Sequence, residues 1–571
     1  VWLSRRSSHG VAKRVLEETF SRHDGLSQEQ RSAIEHVAGA KRIAAVVGRA
    51  GAGKTTMMKA AREAWEAAGY RVVGAALAGK AAEGLEKEAG IASRTLSSWE
   101  LRWEKERDRL DDKTVFVLDE AGMVSSRQMA TFVKAVTEAG AKLVLVGDPD
   151  QLQPIEAGAA FRAIVDRIGY AELGFIFRQR EAWMRTASMD LARGRVGAAL
   201  RAYDNADLVR SEWTRDEAVR SLIDDWNSEY DPTRTSLILA HRRVDVRTLN
   251  ELAREKLVER GIVGEGFAFR TEDGTRHFSA GDRIVFLKNE GSLGVKNGLL
   301  ATVVEAAPGR IVAAVGEGEE RRQIVVEQRF YANVDHGYAT TVHKSQGATV
   351  DNVKVLASGT LDRHLTYVAL TRHRDAMQLY LALGEFTNRG GVLVDHGEAP
   401  YENDPNNSDS YFVTLETGEG KRNTIWGVDL ARAMEEAAPQ IGDRIGLDHQ
   451  GSETVRLPSG KKVLRHKWKV VDIRELALSR MTERLSRDGS KETTLDYERA
   501  PLYRAALRFA ETRGLNLMNV ARTILRDRLA WTVRQKQRLA DLGSRLVAIG
   551  ARLGLLSGMR QQTESSNMKE A

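Results

Sequence analysis

The chain has 571 residues, 42% hydrophobic and 29% charged, with 86 Lys and Arg against 79 Asp and Glu and a net charge of +7. No apolar run approaches the ~20 residues a helical membrane span requires, and the lack of cysteine excludes disulfides and thiolate metal sites. That length exceeds what one core supports, so two or more domains are expected, while the basic excess points to an anionic partner and the cysteine-free composition to a cytoplasmic location.

Residues 1–25 begin at Val1 rather than a methionine and read as a connector from an upstream domain of a longer protein. The stretch "RIAAVVGRAGAGKTTMMKAAREAWEAAG" then predicts a buried strand, a glycine-rich loop and a helix closed by Gly69. Gly48, four residues, then Gly53-Lys54-Thr55 fits the phosphate-loop pattern in the strand-to-helix context that the pattern needs. Gly48, Gly51 and Gly53 let backbone N–H groups wrap a phosphate, and the helix N-terminus adds positive potential there. Lys54 would reach the outer phosphates and Thr55, with Thr56 beside it, would ligate Mg²⁺.

"TVFVLDEAGMV" predicts a second buried strand that delivers Asp119 and Glu120 to the same edge, Asp119 to hold Mg²⁺ and Glu120 to orient an attacking water. A third such strand ends in "GDPDQLQP". The alternation of strands and helices predicts an α/β fold of two stacked lobes with parallel sheets, at 26–170 and 171–385, with the nucleotide between them.

Within the second lobe, residues 266–328 switch to short strands with Gly and Asn-Gly turns, the pattern of a small β-barrel insertion. "DHGEAPYENDPNNSDS" is polar and turn-rich, so 386–410 is expected to be a linker. Residues 411–475 suggest a small β-rich module with one helix near "GVDLARAMEEA". Residues 476–571 suggest a helical, basic region, amphipathic over Ala500–Leu556 and ending in a disordered tail.

Gln30 in "LSQEQRSAI", the phosphate loop, "GAALAGKAAEGL", "DEAGM", "GDPDQLQP", "FRQR", "GYATTVHKSQGAT" and "YVALTRHRD" follow one another as in superfamily 1 helicases. Their wording resembles the RecD-like branch, superfamily 1B, and more closely the helicase region of TraA-type conjugative relaxases, over roughly 26–385. "RGLNLMNVARTILRDRLAWTVRQKQRLADLG" resembles the tail of those relaxases. The resemblance implies two RecA-like P-loop lobes, an SH3-like insertion, and ATP with Mg²⁺ as cofactors.

It also implies roles. Gln30 would read adenine, Gln151 would sense the γ-phosphate, Arg178 and Arg372 would reach that phosphate from across the cleft, and Gly347 would lie on the nucleotide side. Gly79, Lys80 and Thr95 of the first lobe, and His241, Thr341, His343 and Lys344 of the second, would hold DNA through its phosphates. Trp99 is open between a base-stacking residue and a core tryptophan. His336, His343, His364 and His373 show no metal-ligand spacing.

The implied activity is that of an ATP-dependent 5′–3′ DNA helicase, the motor part of a conjugative plasmid transfer relaxase. Its implied partners are single-stranded and duplex DNA and other transfer proteins of the relaxosome or secretion machinery. Nicking is not expected of this chain, because the metal-binding histidines and nicking tyrosine of such relaxases belong to an N-terminal domain that residues 1–25 cannot contain. A RecD-like repair helicase and a DNA-binding scaffold with a vestigial ATPase are the competing readings.

Overall fold

The first lobe is built on six parallel strands, and the alternation of side chains in the three fully buried ones shows why their sequences are almost wholly apolar. Across the sheet the order is Ala92–Thr95, Arg71–Ala76, Thr114–Leu118, Lys142–Gly147, Ile43–Gly48 and Ala171–Leu173. In Ile43–Gly48, residues Ile43, Ala45 and Val47 enter one hydrophobic cluster with Phe116 and Leu145, whereas Ala44 and Val46 enter another with Val115 and Val144. Successive side chains point to opposite faces, and helices cover both faces, so every position is buried. This computed structural model describes residues 9–154, 158–316, 321–456 and 462–490.

A second, five-stranded parallel sheet runs Ala339–Thr341, Ser236–Ala240, Val350–Leu356, His373–Ala382 and Val209–Glu212. It is clothed in the same way, with Leu237, Leu239 and Val355 on one face and Ile238, Ala240 and Leu356 on the other. The first sheet brings the ends of Ile43–Gly48 and Thr114–Leu118 to the cleft between the lobes, where α/β sheets place their ligands, whereas the second-lobe residues Thr349 and Arg374 face it from the starts of Val350–Leu356 and His373–Ala382.

Between Ser236–Ala240 and Ala339–Thr341 the chain leaves the second sheet to build an antiparallel insertion. It comprises a hairpin, Phe267–Thr271 with Gly274–Phe278, and a five-stranded sheet. The last strand of that sheet, Val334–His336, pairs with Arg283–Phe286, so the insertion continues past the expected end at residue 328. A buried carboxylate fastens its base to the lobe. Asp282 accepts from Tyr338 Oη at 2.6 Å and from Arg254 Nε at 3.2 Å.

Several expected boundaries are corrected. Part of the 1–25 connector is a helix, Lys13–Arg22, whose Leu16 joins the first-lobe core with Leu26, so this helix is part of that lobe. Ala171–Leu173 is the outermost strand of the first sheet, which therefore extends past 170; three residues are too few to carry a readable periodicity.

The linker expected over 386–410 is a strand and a turn. Gly390–Pro400 pairs with Asp409–Glu416, with Pro400 opposite Asp409. Its polar composition belongs to the turn and the open face, while Leu393 is buried and His396 Nδ1 lies 2.7 Å from the Tyr411 hydroxyl. The β-rich module therefore begins near residue 390, as a five-stranded antiparallel sheet with the helix Leu430–Ala437.

The helix Ile473–Leu485 follows that module and sends Ile473, Ala477, Met481 and Leu485 into the second-lobe core. The amphipathic helix expected over Ala500–Leu556 and the tail lie outside the described residues. No helix among the described residues is long and apolar enough to cross a membrane.

Candidate nucleotide and nucleic-acid site

The loop between Ile43–Gly48 and the helix Lys54–Ala67 is shaped by three glycines. Gly51 and Gly53 have φ of 80° and 73°, a region that glycine occupies without steric cost. A Cβ on Gly51 would lie 2.5 Å from Arg178 Cβ, and one on Gly48 would lie 2.6 Å from Lys54 Cγ. Gly48 thus makes room for the lysine, whose Nζ folds back to donate to the Gly48 carbonyl at 2.9 Å.

The loop opens on a cleft of about 770 Å³ lined by Gln30, Gly51, Gly53, Lys54, Thr55, Thr56, Asp119, Glu120, Arg178 and Gly347. Gln30 also closes the capping box of its own helix with Ser27 and donates from Nε2 to the Gly53 carbonyl at 3.2 Å. Its amide is therefore fixed against the loop.

Asp119 and Glu120 end the strand Thr114–Leu118 inside this cleft. Burial raises the Asp119 carboxyl to about 6, and the neighbouring Glu120 charge pushes the same way. Glu120 takes a left-handed conformation, φ 51°, and its N–H donates to Asp119 at 2.8 Å. Two crowded carboxylates beside a threonine hydroxyl are hard oxygen donors, and the repulsion between them is what a divalent cation relieves. Facing the phosphate-loop lysine, this donor set fits a nucleoside triphosphate with Mg²⁺.

Arg178 and Arg372 come together but occupy different places. Arg178 lines the cleft and donates from Nη1 to the Thr371 carbonyl at 2.7 Å. Burial and the Arg372 charge lower its guanidinium to about 9. Arg372 is 1% exposed and sits behind, donating to the Val368 carbonyl at 2.9 Å and the Thr371 hydroxyl at 3.2 Å. Burial lowers its guanidinium as well. Two adjacent cations, Arg372 buried and Arg178 half-buried at the cleft, are held below their usual range and gain from an incoming anion.

Gln151 is 3% exposed and lies outside the cleft lining, where Nε2 donates to Asp148 Oδ2 at 3.2 Å. Asp148 is the centre of a buried network. Oδ2 also accepts from the Tyr367 hydroxyl at 2.9 Å, and Oδ1 accepts from Arg49 Nη1 at 3.1 Å. Burial alone would lower Arg49, yet the Asp148 and Asp150 charges hold its guanidinium above the usual value.

The residues expected to touch DNA lie on both lobes. Gly79 opens the helix Gly79–Ala89 with Lys80 exposed beside it. Thr95 caps the next helix, its hydroxyl accepting from Ser98 N at 3.3 Å. In the second lobe the His241 and His343 rings stack with centroids 5.7 Å apart, and Thr341 accepts from the exposed Lys344 N at 3.4 Å. Trp99 is a core residue. It is 4% exposed, packs edge-on to Phe116 with centroids 5.4 Å apart, and donates from Nε1 to the Gly74 carbonyl at 2.8 Å.

Sequence reasoning missed Phe177, Arg180 and Arg374 in the cleft and Tyr367 behind it. Phe177 is 52% exposed, pairs with Phe175 at 4.7 Å and donates its N–H to the Gly51 carbonyl at 2.9 Å. The available signal was "GFIF", two aromatics in a segment with no periodicity to bury them. Arg374 stands at the start of the strand His373–Ala382 and faces the cleft, whereas Arg372, two residues before it, is buried behind; the motif wording "ALTRHR" does not tell the two apart. Lys296 of the insertion also went unnoticed: it donates to Glu83 at 3.0 Å and lies 3.5 Å from the Gly79 carbonyl.

Residues 25–213 match the AAA domain family, and residues 301–381 match the viral superfamily 1 RNA helicase core domain. Over 571 residues the chain is 61% identical to the probable conjugal transfer protein TraA of Sinorhizobium fredii and 58% identical to the conjugal transfer protein TraA of Agrobacterium fabrum. Each alignment covers 100% of this chain and 44% of the relative, so the chain spans less than half the length of these proteins. It is also 27% identical over 362 residues to the ATP-dependent RecD2 DNA helicase of Deinococcus radiodurans, covering 62% of this chain and 48% of that one.

Proposed function

We propose that this chain, which corresponds over its whole length to part of the TraA-type conjugal transfer proteins and carries the superfamily 1, RecD-like pattern, is an ATP-driven 5′–3′ translocase that unwinds DNA for strand transfer. The observation that carries this reading is the meeting of Lys54, Thr55, Asp119 and Glu120 with Arg178 in one cleft, where Arg178 is bonded to the second lobe. A nucleotide site completed from two lobes makes turnover depend on their closure, which is how hydrolysis drives movement.

The loop amides and Lys54 bind the phosphates, Thr55 and Asp119 hold Mg²⁺, and Glu120 orients the attacking water. Gln30 meets the adenine edge, with the Phe177 ring beside it. Arg178 and Arg372 stabilise charge that develops on the phosphates. ATP supplies the phosphoryl group whose transfer releases the energy. Gly79, Lys80, Thr95, His241, Thr341, His343 and Lys344 hold the strand through its backbone with little sequence preference. We read the insertion as an SH3-like grip, a reading supported by Lys296 standing against Gly79.

Strand-displacement assays on tailed duplexes test the function. Duplexes with a 5′ single-stranded tail are opened with ATP and Mg²⁺, and those with only a 3′ tail are not. Preferential opening of 3′-tailed duplexes would overturn the polarity and the RecD-like assignment of the motor.

A further inference from the structure

The helix Arg363–Leu370 of the second lobe carries the fully buried Tyr367, whose ring packs in the second-lobe core and whose hydroxyl reaches the first lobe. Its hydroxyl accepts from the phosphate-loop amide Ala50 N at 2.9 Å and donates to Asp148 Oδ2 at 2.9 Å. That carboxylate oxygen also takes the Gln151 side chain at 3.2 Å. Two residues past the end of the same helix stands Arg372, which donates back to the Val368 carbonyl at 2.9 Å. One phenol therefore touches the phosphate loop, shares an acceptor with Gln151, and rides on the helix that carries Arg372. Tyr367 itself does not line the nucleotide cleft.

We infer that Tyr367 is a positioning residue for hydrolysis: its hydroxyl registers the phosphate loop and Gln151 against the helix that presents Arg372. The inference rests on the ATPase reading above.

The geometry sets what the hydroxyl does. The loop N–H and the carboxylate are both buried, so each needs a partner, and a phenol can serve as acceptor and donor at once. Asp148 is anchored on its other oxygen by Arg49 at 3.1 Å, which leaves Oδ2 to Tyr367 and Gln151. A shift of Gln151 against Asp148 is thereby felt by the tyrosine, and through its short helix by Arg372. The phenyl ring fills core space in either case, so the hydroxyl is separable from the packing.

Tyr367→Phe keeps the ring and removes only the two bonds. At saturating single-stranded DNA its kcat for ATP falls about tenfold or more while KM for ATP stays within about twofold, because the lost contact positions groups that act in the transition state. Asp148→Asn approaches the same bond from its other end, and the double variant loses no more than the worse single variant.

Unchanged kcat in Tyr367→Phe, a rise in KM that accounts for the whole loss, or losses that multiply in the double variant each overturn the inference. Failure of Tyr367→Phe to fold overturns it too, since it would make the hydroxyl a folding element. If the unmodified chain hydrolyses no ATP, it is the ATPase reading that fails.

Discussion

The Arg178 guanidinium donates to the main-chain carbonyl of Thr371 at 2.7 Å, the residue directly before Arg372. One cation thus faces the cleft while the next is held behind it, tied to the Val368 carbonyl. Both stand on the second-lobe side of a phosphate loop that belongs to the first. This division of position implies a division of labour.

Arg372→Ala is expected to leave nucleotide affinity within about threefold of the original while turnover falls a hundredfold or more, ~3 kcal/mol of transition-state stabilisation. Arg372 lies outside the cleft lining, so its charge acts after the lobes close. Equilibrium titration with a fluorescent ATP analogue, set beside steady-state hydrolysis, separates the two effects. Normal turnover with weakened binding would make Arg372 a ground-state contact.

Trp99→Phe is expected to cost about 1–3 kcal/mol of stability by removing the buried indole bond to the Gly74 carbonyl and part of the ring packed against Phe116, while the affinity of the folded protein for single-stranded DNA stays unchanged. Urea denaturation and DNA titration measure the two quantities. A drop in DNA affinity with unaltered stability would return Trp99 to a base-stacking role.

Much of the nucleotide site was legible because its chemistry constrains local sequence. Gly48, Gly51 and Gly53 are dictated by close approach and positive φ, and the strands around them by burial on both faces. What was not legible depends on partners distant in sequence. Nothing near Pro400 reveals that Asp409 will pair with it, so a paired strand read as a linker. Tyr367 looks like any apolar helix residue until Ala50 and Asp148, each far away in the chain, meet its hydroxyl. Trp99 was undecidable for the same reason: its acceptor is on a neighbouring strand.

Lys296→Ala is expected to weaken single-stranded DNA binding and to reduce the magnitude of the log–log salt slope by about 0.7, the share of one neutralised phosphate. In this structure Lys296 is paired with Glu83 beside the start of the Gly79–Ala89 helix, so a DNA phosphate arriving there competes with Glu83 for it. Affinity measured across a salt series checks this. A slope identical to that of the unmodified chain would place Lys296 off the DNA path.

The central claim is that DNA and ATP act on one machine, and ATP turnover with and without single-stranded DNA tests it most directly, using Lys54→Ala as the control. The lysine neutralises charge developing on the phosphates, and its loss costs on the order of 3 kcal/mol, about a hundredfold in rate. We predict turnover that rises severalfold or more with single-stranded DNA in the unmodified chain and collapses under both conditions in Lys54→Ala. Turnover indifferent to DNA, or a folded Lys54→Ala protein that hydrolyses ATP at the original rate, would contradict the account.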